Sequence, residues 1–192
     1  MGWIETADQA VFEALCAVFG LSPDSKEASR RFRAAYLREA TNPPTDRTKD
    51  VCYYAISERT SANLDSIEIS YQADAEGMKA VLRKVIPVQC LFSFYGPNAD
   101  NDAERLWSLM YLDSGPDCAR SILRRANMVP IPRPNRPLSV PELEGSLWRR
   151  RCDLTILFSL LDETSVPVAQ VKSAPDIKIQ INRQGCSVSR KG

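Results

Sequence analysis

Three acidic residues alternate along one short stretch of the chain: Asp100, Asp102 and Glu104. Carboxylates at this spacing could converge on one Mg²⁺ ion or share a proton in acid–base catalysis. They also lie at the predicted start of a helix, where carboxylates stabilise unpaired backbone N–H groups and the positive end of the helix dipole. Helix capping explains the three residues better, so we predict neither a metal site nor a catalytic site there.

The chain contains no histidine, so cysteine is the strongest nucleophile left to consider. Serine–histidine and cysteine–histidine catalysis are therefore excluded, and the commonest transition-metal ligand is missing. The six cysteines form no Cys-x-x-Cys pair, which argues against a metal cluster. Cys90 and Cys152 fall within apolar strand faces beside no evident base, which predicts buried, reduced and unreactive thiols.

Phosphate-binding loops are missing as well, since the eight glycines form neither a GxGxxG nor a GxxxxGK pattern. We therefore predict no catalytic, cofactor-binding or metal-binding residues. We predict that the protein is not an enzyme and uses no cofactor.

The clearest charged feature is the segment 120–151, which holds eight arginines against Glu142 and Glu144. Arginine suits bidentate contact with carboxylate or phosphate, so an acidic protein neighbour, a nucleic acid or plain solvated surface could each explain the segment. No recognition-helix motif, zinc finger or aromatic stacking platform accompanies it, which disfavours sequence-specific DNA binding. The candidate interface residues are these arginines and one tryptophan beside them: Arg120, Arg124, Arg125, Arg133, Arg136, Trp148, Arg149, Arg150 and Arg151.

Apolar residues at helical spacing predict four helices, over residues 7–19, 26–40, 98–113 and 117–127. Thr6 with Gln9 suits a capping box for the first helix, and Gly20 ends it. Asn98 or Asp100 can cap the third helix. Because the helices over 7–19 and 98–113 carry acids while residues 26–38 and 120–151 are basic, acidic and basic segments could meet between subunits.

Alternating apolar residues predict strands over 51–57, 66–71, 88–95, 152–160 and 177–181, with an extended lead-in from about Lys84. The first two strands are predicted to pair with each other, and the last two to close the domain as an antiparallel pair. In the second strand Ile67, Ile69 and Tyr71 share one face, as in a sheet with one face toward solvent.

Five prolines between Val129 and Leu143 predict a stiff extended arm outside the core. Such a strip could lie across another subunit or form a plain surface loop. The predicted fold class is α+β, a mainly antiparallel sheet with helices packed on one face plus the proline-rich arm. With 192 residues, 44% of them apolar, and a net charge of +1, we predict one domain over residues 1–182 and a polar tail over 183–192.

Three groups of residues together resemble the neck or tail-terminator proteins of long-tailed bacteriophages, over about residues 28–182. They are Tyr53-Tyr54-Ala55-Ile56-Ser57, the turn Phe94-Tyr95-Gly96-Pro97 with Asn98-Ala99 between strand and helix, and Val140-Pro141-Glu142-Leu143 followed by Trp148, Arg151, Asp153 and Leu154. The place of Phe94, Tyr95, Gly96 and Pro97 between a strand and a helix gives the short motif its specificity.

This resemblance implies a structural protein that forms a ring, usually of six copies, on the head-proximal end of the tail tube. Such a ring stops tube growth and provides the surface on which the head docks. The implied partners are further copies of the chain, the tail tube protein, a head-completion or connector protein, and the sheath if the tail is contractile. DNA passes through without specific binding, no membrane is involved, and the expected location is the virion neck after assembly in the host cytoplasm.

Two alternative functions stay open at this point. The first is a head-tail adaptor in the same neck, which would differ in the neighbours it touches. The second is a nucleic-acid-binding module that uses the arginine-rich segment.

Overall fold

The computed structural model describes residues 2–35, 48–59, 66–74, 77–132, 135–168, 177–182 and 185–190. The helices are α1 (Trp3–Phe19), α2 (Lys26–Arg31), α3 (Ala99–Met110) and α4 (Ala119–Arg125). The strands are β1 (Phe32–Ala34), β2 (Val51–Glu58), β3 (Ser66–Asp74), β4 (Gly77–Tyr95), β5 (Met128–Ile131), β6 (Leu138–Ser139), β7 (Glu142–Glu144), β8 (Leu147–Arg149), β9 (Arg151–Val168), β10 (Ile177–Asn182) and β11 (Gly185–Arg190). The prediction of an α+β fold with a mainly antiparallel sheet is confirmed.

The chain divides into two compact units. The first unit, residues 1–68 and 83–163, contains the four helices and the hydrophobic core. The second unit, residues 69–82 and 164–192, has all of its described residues in strands.

The main sheet has the strand order β1-β2-β4-β9-β5, with β3 also pairing with β4 and β6 with β9. β2 runs antiparallel to β4, so that Val51 faces Tyr95 and Glu58 faces Val88. The predicted pairing of the strands at 51–57 and 66–71 with each other is wrong, because both pair with β4. β4 is 19 residues long, so both β2 and β3 can pair with it in addition to β9.

The core contains the buried faces of α1, α3 and α4 together with buried residues of β2, β4 and β9. Val88, Cys90, Phe92 and Phe94 alternate along β4 and are all buried, as the sequence predicts. Phe19, at the end of α1, packs its ring 5.4 Å from that of Phe32 and 6.4 Å from that of Phe94. Burial of these large side chains is the main source of the stability of the first unit.

α1 is confirmed but begins four residues earlier than predicted. The predicted capping box of Thr6 and Gln9 is wrong: the backbone N–H of Gly2 donates to the Glu5 carboxylate at 3.3 Å. Gln9 instead donates to Glu13 across one turn of the helix, at 2.7 Å. Gly20 ends the helix at φ 70°, in the left-handed region that glycine adopts without strain.

The predicted helix over residues 26–40 is wrong beyond Arg31. At Phe32 the backbone turns extended, with φ −115° and ψ 122°, and residues 32–34 pair in parallel with β2. The extended path places the Phe32 ring against Phe19, and that tertiary contact outweighs local helix propensity. The later part of this predicted helix, from residue 36, lies outside the described residues.

The proline-rich arm is not confirmed as a separate extended strip. Residues 128–131 form β5, which pairs antiparallel with β9, and both Met128 and Pro130 are buried. β5 is the last strand in the sheet order, where a proline needs hydrogen bonds on one side only. β6 pairs with β9 as well, and β7 with β8 form a two-stranded sheet of their own. Residues 133–134 lie outside the described residues.

The last strands differ from the predicted closing pair. β10 is confirmed as a strand, but its partner is β11, with Ile177 opposite Arg190, rather than β9. The segment predicted to be a polar tail thus contains a strand.

Candidate functional site

The turn Phe94–Asn98 joins β4 to α3, and its geometry requires a glycine. Gly96 has φ 117°, and a Cβ added there would lie 2.5 Å from Asp50 Oδ1 and 2.7 Å from the carbonyl oxygen of Lys49. Asp50 accepts hydrogen bonds from the backbone N–H and the side-chain amide of Asn98, both at 2.9 Å. Asn98 stands at the N-cap position of α3 as predicted, but its side chain makes no capping hydrogen bond to the helix. It donates to Asp50 instead, which fastens the turn to the chain before β2.

The Tyr95 ring of this turn lies against the arginine-rich segment 149–151. The guanidinium carbons of Arg149 and Arg151 lie 4.5 and 5.8 Å from the ring centroid, within the range of cation–π attraction. The Tyr95 hydroxyl donates to Glu142 at 3.1 Å. Burial raises the pKa of Tyr95 to about 12, so the phenol remains a donor at neutral pH.

Arginines 149–151 make their closest contacts within the chain. Arg149 is only 4% exposed. Arg151 forms a bidentate pair with Asp153 at 2.8 and 2.9 Å. Arg150 donates to the carbonyl oxygen of Pro97 at 3.1 Å and lies 3.6 Å from Asp100. The structure thus brings together two groups of residues that the sequence shows separately, the Phe94–Pro97 motif and the segment after Trp148.

A short hairpin projects from this cluster. β7 and β8 pair with Glu142 opposite Arg149 and Leu143 opposite Trp148, and Gly145 makes the turn at φ 64°. Three apolar side chains on it are exposed by between 56% and 70%: Leu143, Leu147 and Trp148. Leu143 and Trp148 lie opposite each other and share one face of the hairpin, whereas Leu147, next to Trp148 in β8, lies on the other face. We call Leu143 and Trp148 the hairpin patch. Trp148 therefore does not pack in the core.

The other candidate arginines are spread over the surface near α3 and α4. Arg120 donates to the carbonyl oxygen of Tyr111 at 3.0 Å, and Arg125 to that of Pro116 at 3.1 Å. Arg124 is exposed and lies 3.6 Å from Asp113. Arg136 is exposed, with its guanidinium carbon 5.9 Å from the Trp107 ring centroid. Arg133 lies outside the described residues.

β3 carries a second group of exposed apolar residues, which the sequence analysis did not single out as a surface. Ile67, Ile69 and Tyr71 alternate along the strand as predicted, yet each is exposed by between 63% and 66%. We call these three residues the β3 patch. Glu68 and Gln72 on the other side of the strand are exposed as well, so the alternation visible in the sequence does not separate a buried side from an exposed one.

The acidic stretch at 100–104 serves structural contacts. Asp102 pairs with Arg31 at 2.8 Å, and the same guanidinium lies 4.6 Å from the Phe19 ring centroid. Burial raises the pKa of Asp102, although the hydrogen bond from Arg31 opposes this. Glu104 is exposed. In the parts of the chain that the structure describes, no group of three or more acidic or cysteine side chains could hold a metal ion.

We expect the cysteines to differ sharply in reactivity. Burial raises the pKa of Cys152 to about 12 and that of Cys90 well above its usual value. At Cys118 burial alone would raise the pKa, but hydrogen bonds from Ser121 and nearby backbone groups lower it overall. Iodoacetamide at pH 7.5 should therefore label Cys118 at least about tenfold faster than the two buried thiols, as measured by peptide mass spectrometry over time. Equally fast labelling of Cys90 or Cys152 would contradict this, and Cys118→Ser identifies the fast site.

The half-buried carboxyl of Asp8 should make stability depend on pH in an unusual direction. Burial raises its pKa, and a hydrogen bond with Tyr54 only partly offsets this. Because folding disfavours the ionised form, Asp8 destabilises the fold above its folded-state pKa, and this cost disappears as the pH falls toward 3.8. Asp8→Asn should raise the free energy of unfolding at pH 7, with a smaller difference at pH 4, in urea titrations at both values.

The matched control for this test is Asp24→Asn, since Asp24 is exposed. It should change stability little at either pH. A variant Asp8→Asn that is less stable than the original chain at pH 7, but not at pH 4, would contradict the prediction.

A search for membrane-crossing helices finds none among the described residues. No curated protein matches the chain. A family model described as phage neck terminator protein matches residues 9–184. The match spans the Phe94–Pro97 turn and the whole arginine-rich segment 120–151 with its β7–β8 hairpin, and it confirms the resemblance drawn from the sequence. The chain therefore belongs to the phage neck terminator proteins, a family of structural proteins.

Proposed function

We propose that the chain forms a closed ring of six copies at the head-proximal end of a phage tail tube, where it ends tube growth and receives the head. Membership in the neck terminator family implies a place in the neck or tail of the virion and contact with other tail and head proteins. The proposal adds to this the closed ring, its copy number and its effect on tube length. In this role the chain acts as one terminator domain and catalyses no reaction.

The observation that carries the ring is the pair of uncovered apolar surfaces on one chain. The hairpin patch exposes two large apolar side chains and the β3 patch exposes three. Contiguous exposed apolar patches of this kind mark sites where another protein binds. A closed ring needs two different surfaces on every subunit, because each copy contacts one neighbour with one surface and the other neighbour with the second.

Partners above and below the ring complete the proposal. The tail tube protein binds one side, a head-completion or connector protein binds the other, and the sheath adds a further contact if the tail contracts. Arg124, Arg125 and Arg136 are exposed, so they are available for acidic surfaces on these neighbours. DNA passes through the ring without specific binding, and assembly takes place in the host cytoplasm.

Negative-stain images and mass photometry of the purified chain, alone and with tail tubes, test the proposal. We expect rings of six copies, rings seated on one end of each tube, and tubes that stop elongating once capped. A chain that stays monomeric both alone and on tubes, or tubes that keep growing past it, would refute the ring.

A nucleic-acid-binding module finds less support in the contacts of the arginines. Arg149 is buried and Arg151 is held by Asp153, which leaves fewer guanidinium groups for phosphate than the sequence suggests. A gel-shift assay in low and high salt separates this alternative from the ring. A head-tail adaptor would instead be recognised by rings that bind the head-side connector protein and never the tail tube.

A further inference from the structure

We infer that the β7–β8 hairpin is hinged: it opens as one body about Pro141 and Arg150, and Tyr95 holds it in the position that the structure shows. The inference does not depend on the ring, and every residue that it involves lies in the first unit. It makes Tyr95, in the Phe94–Pro97 turn, a positioning residue for the hairpin.

The β7–β8 hairpin continues the pair formed by β6 and β9 in the same register. Ser139 lies opposite Cys152, and Glu142, three residues further along, lies opposite Arg149, three residues back. No residue is inserted on either side. The two pairs would therefore form one long hairpin if every residue between them paired.

The pairing is interrupted at Pro141 and Arg150. These two residues would face each other in a continuous hairpin, yet neither belongs to a strand, and β7 and β8 form a sheet separate from the main one. Val140 still donates its backbone N–H to the carbonyl oxygen of Arg151 at 2.8 Å, so the interruption is short. Proline has a fixed φ and no N–H to donate, and both properties disfavour continuous strand pairing. The backbone can bend here without breaking either neighbouring pair.

The outer part of the hairpin has little packing to hold it in place. Leu143, Leu147 and Trp148 are exposed by between 56% and 70%, and Gly145 in the turn is exposed as well. A two-stranded hairpin of this length is not stable by itself in water. Segments with few buried apolar contacts open at a free-energy cost well below that of global unfolding. We therefore expect the hairpin to open while the main sheet stays folded.

Side-chain contacts at the base of the hairpin oppose this opening. The Tyr95 hydroxyl donates to Glu142 at 3.1 Å, and the guanidinium carbon of Arg149 lies 4.5 Å from the centroid of the same ring. Because Glu142 begins β7 and Arg149 ends β8, one side chain of β4 holds both strands at their first pair. Arg151 lies 3.6 Å from Glu142 but also forms its bidentate pair with Asp153. Opening would thus break the Tyr95 contacts and leave Arg151 on the sheet.

The hinge itself is fixed to the turn before α3. Arg150 donates to the carbonyl oxygen of Pro97 at 3.1 Å and lies 3.6 Å from Asp100. Asp50 fastens the same turn to the chain before β2 through its hydrogen bonds with Asn98. The pivot is therefore anchored on the folded unit, and the residues beyond it move relative to that anchor.

Hydrogen exchange of the full chain in low urea tests the hinge. Peptides covering residues 142–149 should exchange at least about 100-fold faster than those covering 88–95 in β4. Their rates should change less than about twofold in urea below the unfolding transition, because a local opening exposes little new surface. Hairpin rates that rise with urea in parallel with the β4 rates would overturn the inference, since the hairpin would then open only when the whole unit unfolds.

Tyr95→Phe tests which residue holds the hairpin. It removes the hydroxyl but keeps the ring beside Arg149, and it should speed exchange over residues 142–149 at least about fivefold. Tyr111→Phe is the matched control at the far end of α3, and it should leave the hairpin rates within about twofold. Glu142→Ala removes the other partner of the same hydrogen bond. The double variant should therefore exchange no more than about twofold faster than Glu142→Ala alone.

Three results would overturn the role of Tyr95. The first is an unchanged hairpin rate in Tyr95→Phe, or an equal acceleration in Tyr111→Phe. The second is a double variant in which the accelerations of Tyr95→Phe and Glu142→Ala multiply, since the two residues would then act independently. The third is an original chain whose hairpin exchanges as fast as an unstructured peptide, because no held position would then exist.

Global destabilisation and assembly can both be separated from opening of the hairpin. If Tyr95→Phe lowers the stability of the whole unit, the hairpin rates in that variant should still be insensitive to low urea. All chains are compared at a concentration where mass photometry gives them the same mass, so that ring formation does not enter the comparison.

Discussion

Replacing Gly96 by alanine should destabilise the fold by on the order of 4 kcal/mol, the largest effect that we expect from a single methyl group. The backbone at φ 117° is unfavourable for any residue with a Cβ, and the added carbon would lie 2.5 Å from Asp50 Oδ1 and 2.8 Å from Asp50 Cα. The Cα of Asp50 and the nearby carbonyl oxygen of Lys49 belong to the backbone, which cannot move aside as a flexible side chain would. Urea unfolding of dilute protein, followed by tryptophan fluorescence, measures the change.

Gly115→Ala is the matched control for this substitution. Gly115 has φ 141° but no atom within 4 Å of an added Cβ, so only backbone strain of about 1–2 kcal/mol is expected. The difference between the two variants then reports the collision with Asp50 and Lys49. Equal losses of stability in both would show that the close approach at Gly96 relaxes freely, contrary to our expectation.

Phe94→Ala should cost about 3–5 kcal/mol of unfolding free energy. Phe94 is 2% exposed, faces Cys52 across the β2–β4 pair and packs its ring 6.4 Å from that of Phe19. Truncation removes the buried ring and leaves a cavity between α1 and the sheet, which the surrounding side chains can fill only in part. The same urea titration measures the loss.

Tyr71→Ala is the control for the aromatic truncation. Its side chain is 66% exposed, so the dilute chain should lose no more than about 0.5 kcal/mol. A loss at Tyr71 as large as that at Phe94 would mean that β3 is packed in the monomer, which would also remove the basis for the β3 patch.

Features that depend on local periodicity were predictable from the sequence. The α1 helix has apolar residues at helical spacing and a glycine at its end, and β4 has an apolar face from Val88 to Phe94. In both elements the residues that alternate or recur are the ones that the core needs. Local preference and tertiary packing therefore agree, and a prediction from the pattern succeeds.

Features that depend on distant partners were not predictable in this way. Phe32 continues a helical pattern, but the Phe19 ring and the edge of β2 draw it into an extended strand. β3 follows β2 along the chain, yet the length of β4 lets both pair with it instead. The prolines around β5 suggest a free arm because no local signal shows that β9 supplies the hydrogen bonds.

The candidate site shows the same division. The Phe94–Pro97 motif and the arginines were each visible, but the contact of Arg150 with Pro97 spans 53 residues of sequence. The alternation of apolar and polar residues in β3 was also visible, but it did not reveal that Ile67, Ile69 and Tyr71 stay exposed. A sequence pattern gives the spacing of side chains, and only the fold decides which of them remain at the surface.

The stacking of Arg149 on Tyr95 has a consequence for interpreting genetic screens of such a particle. Because the buried Tyr95 ring and its guanidinium neighbour hold the base of the hairpin, a lesion at either residue can displace the hairpin, and it should also lower the melting temperature of the purified polypeptide. Such a mutant would behave as if a contact residue were lost, although the substituted residue itself touches no neighbouring protein. A second-site revertant that restores the aim of the hairpin, rather than its apolar tip, would expose the difference.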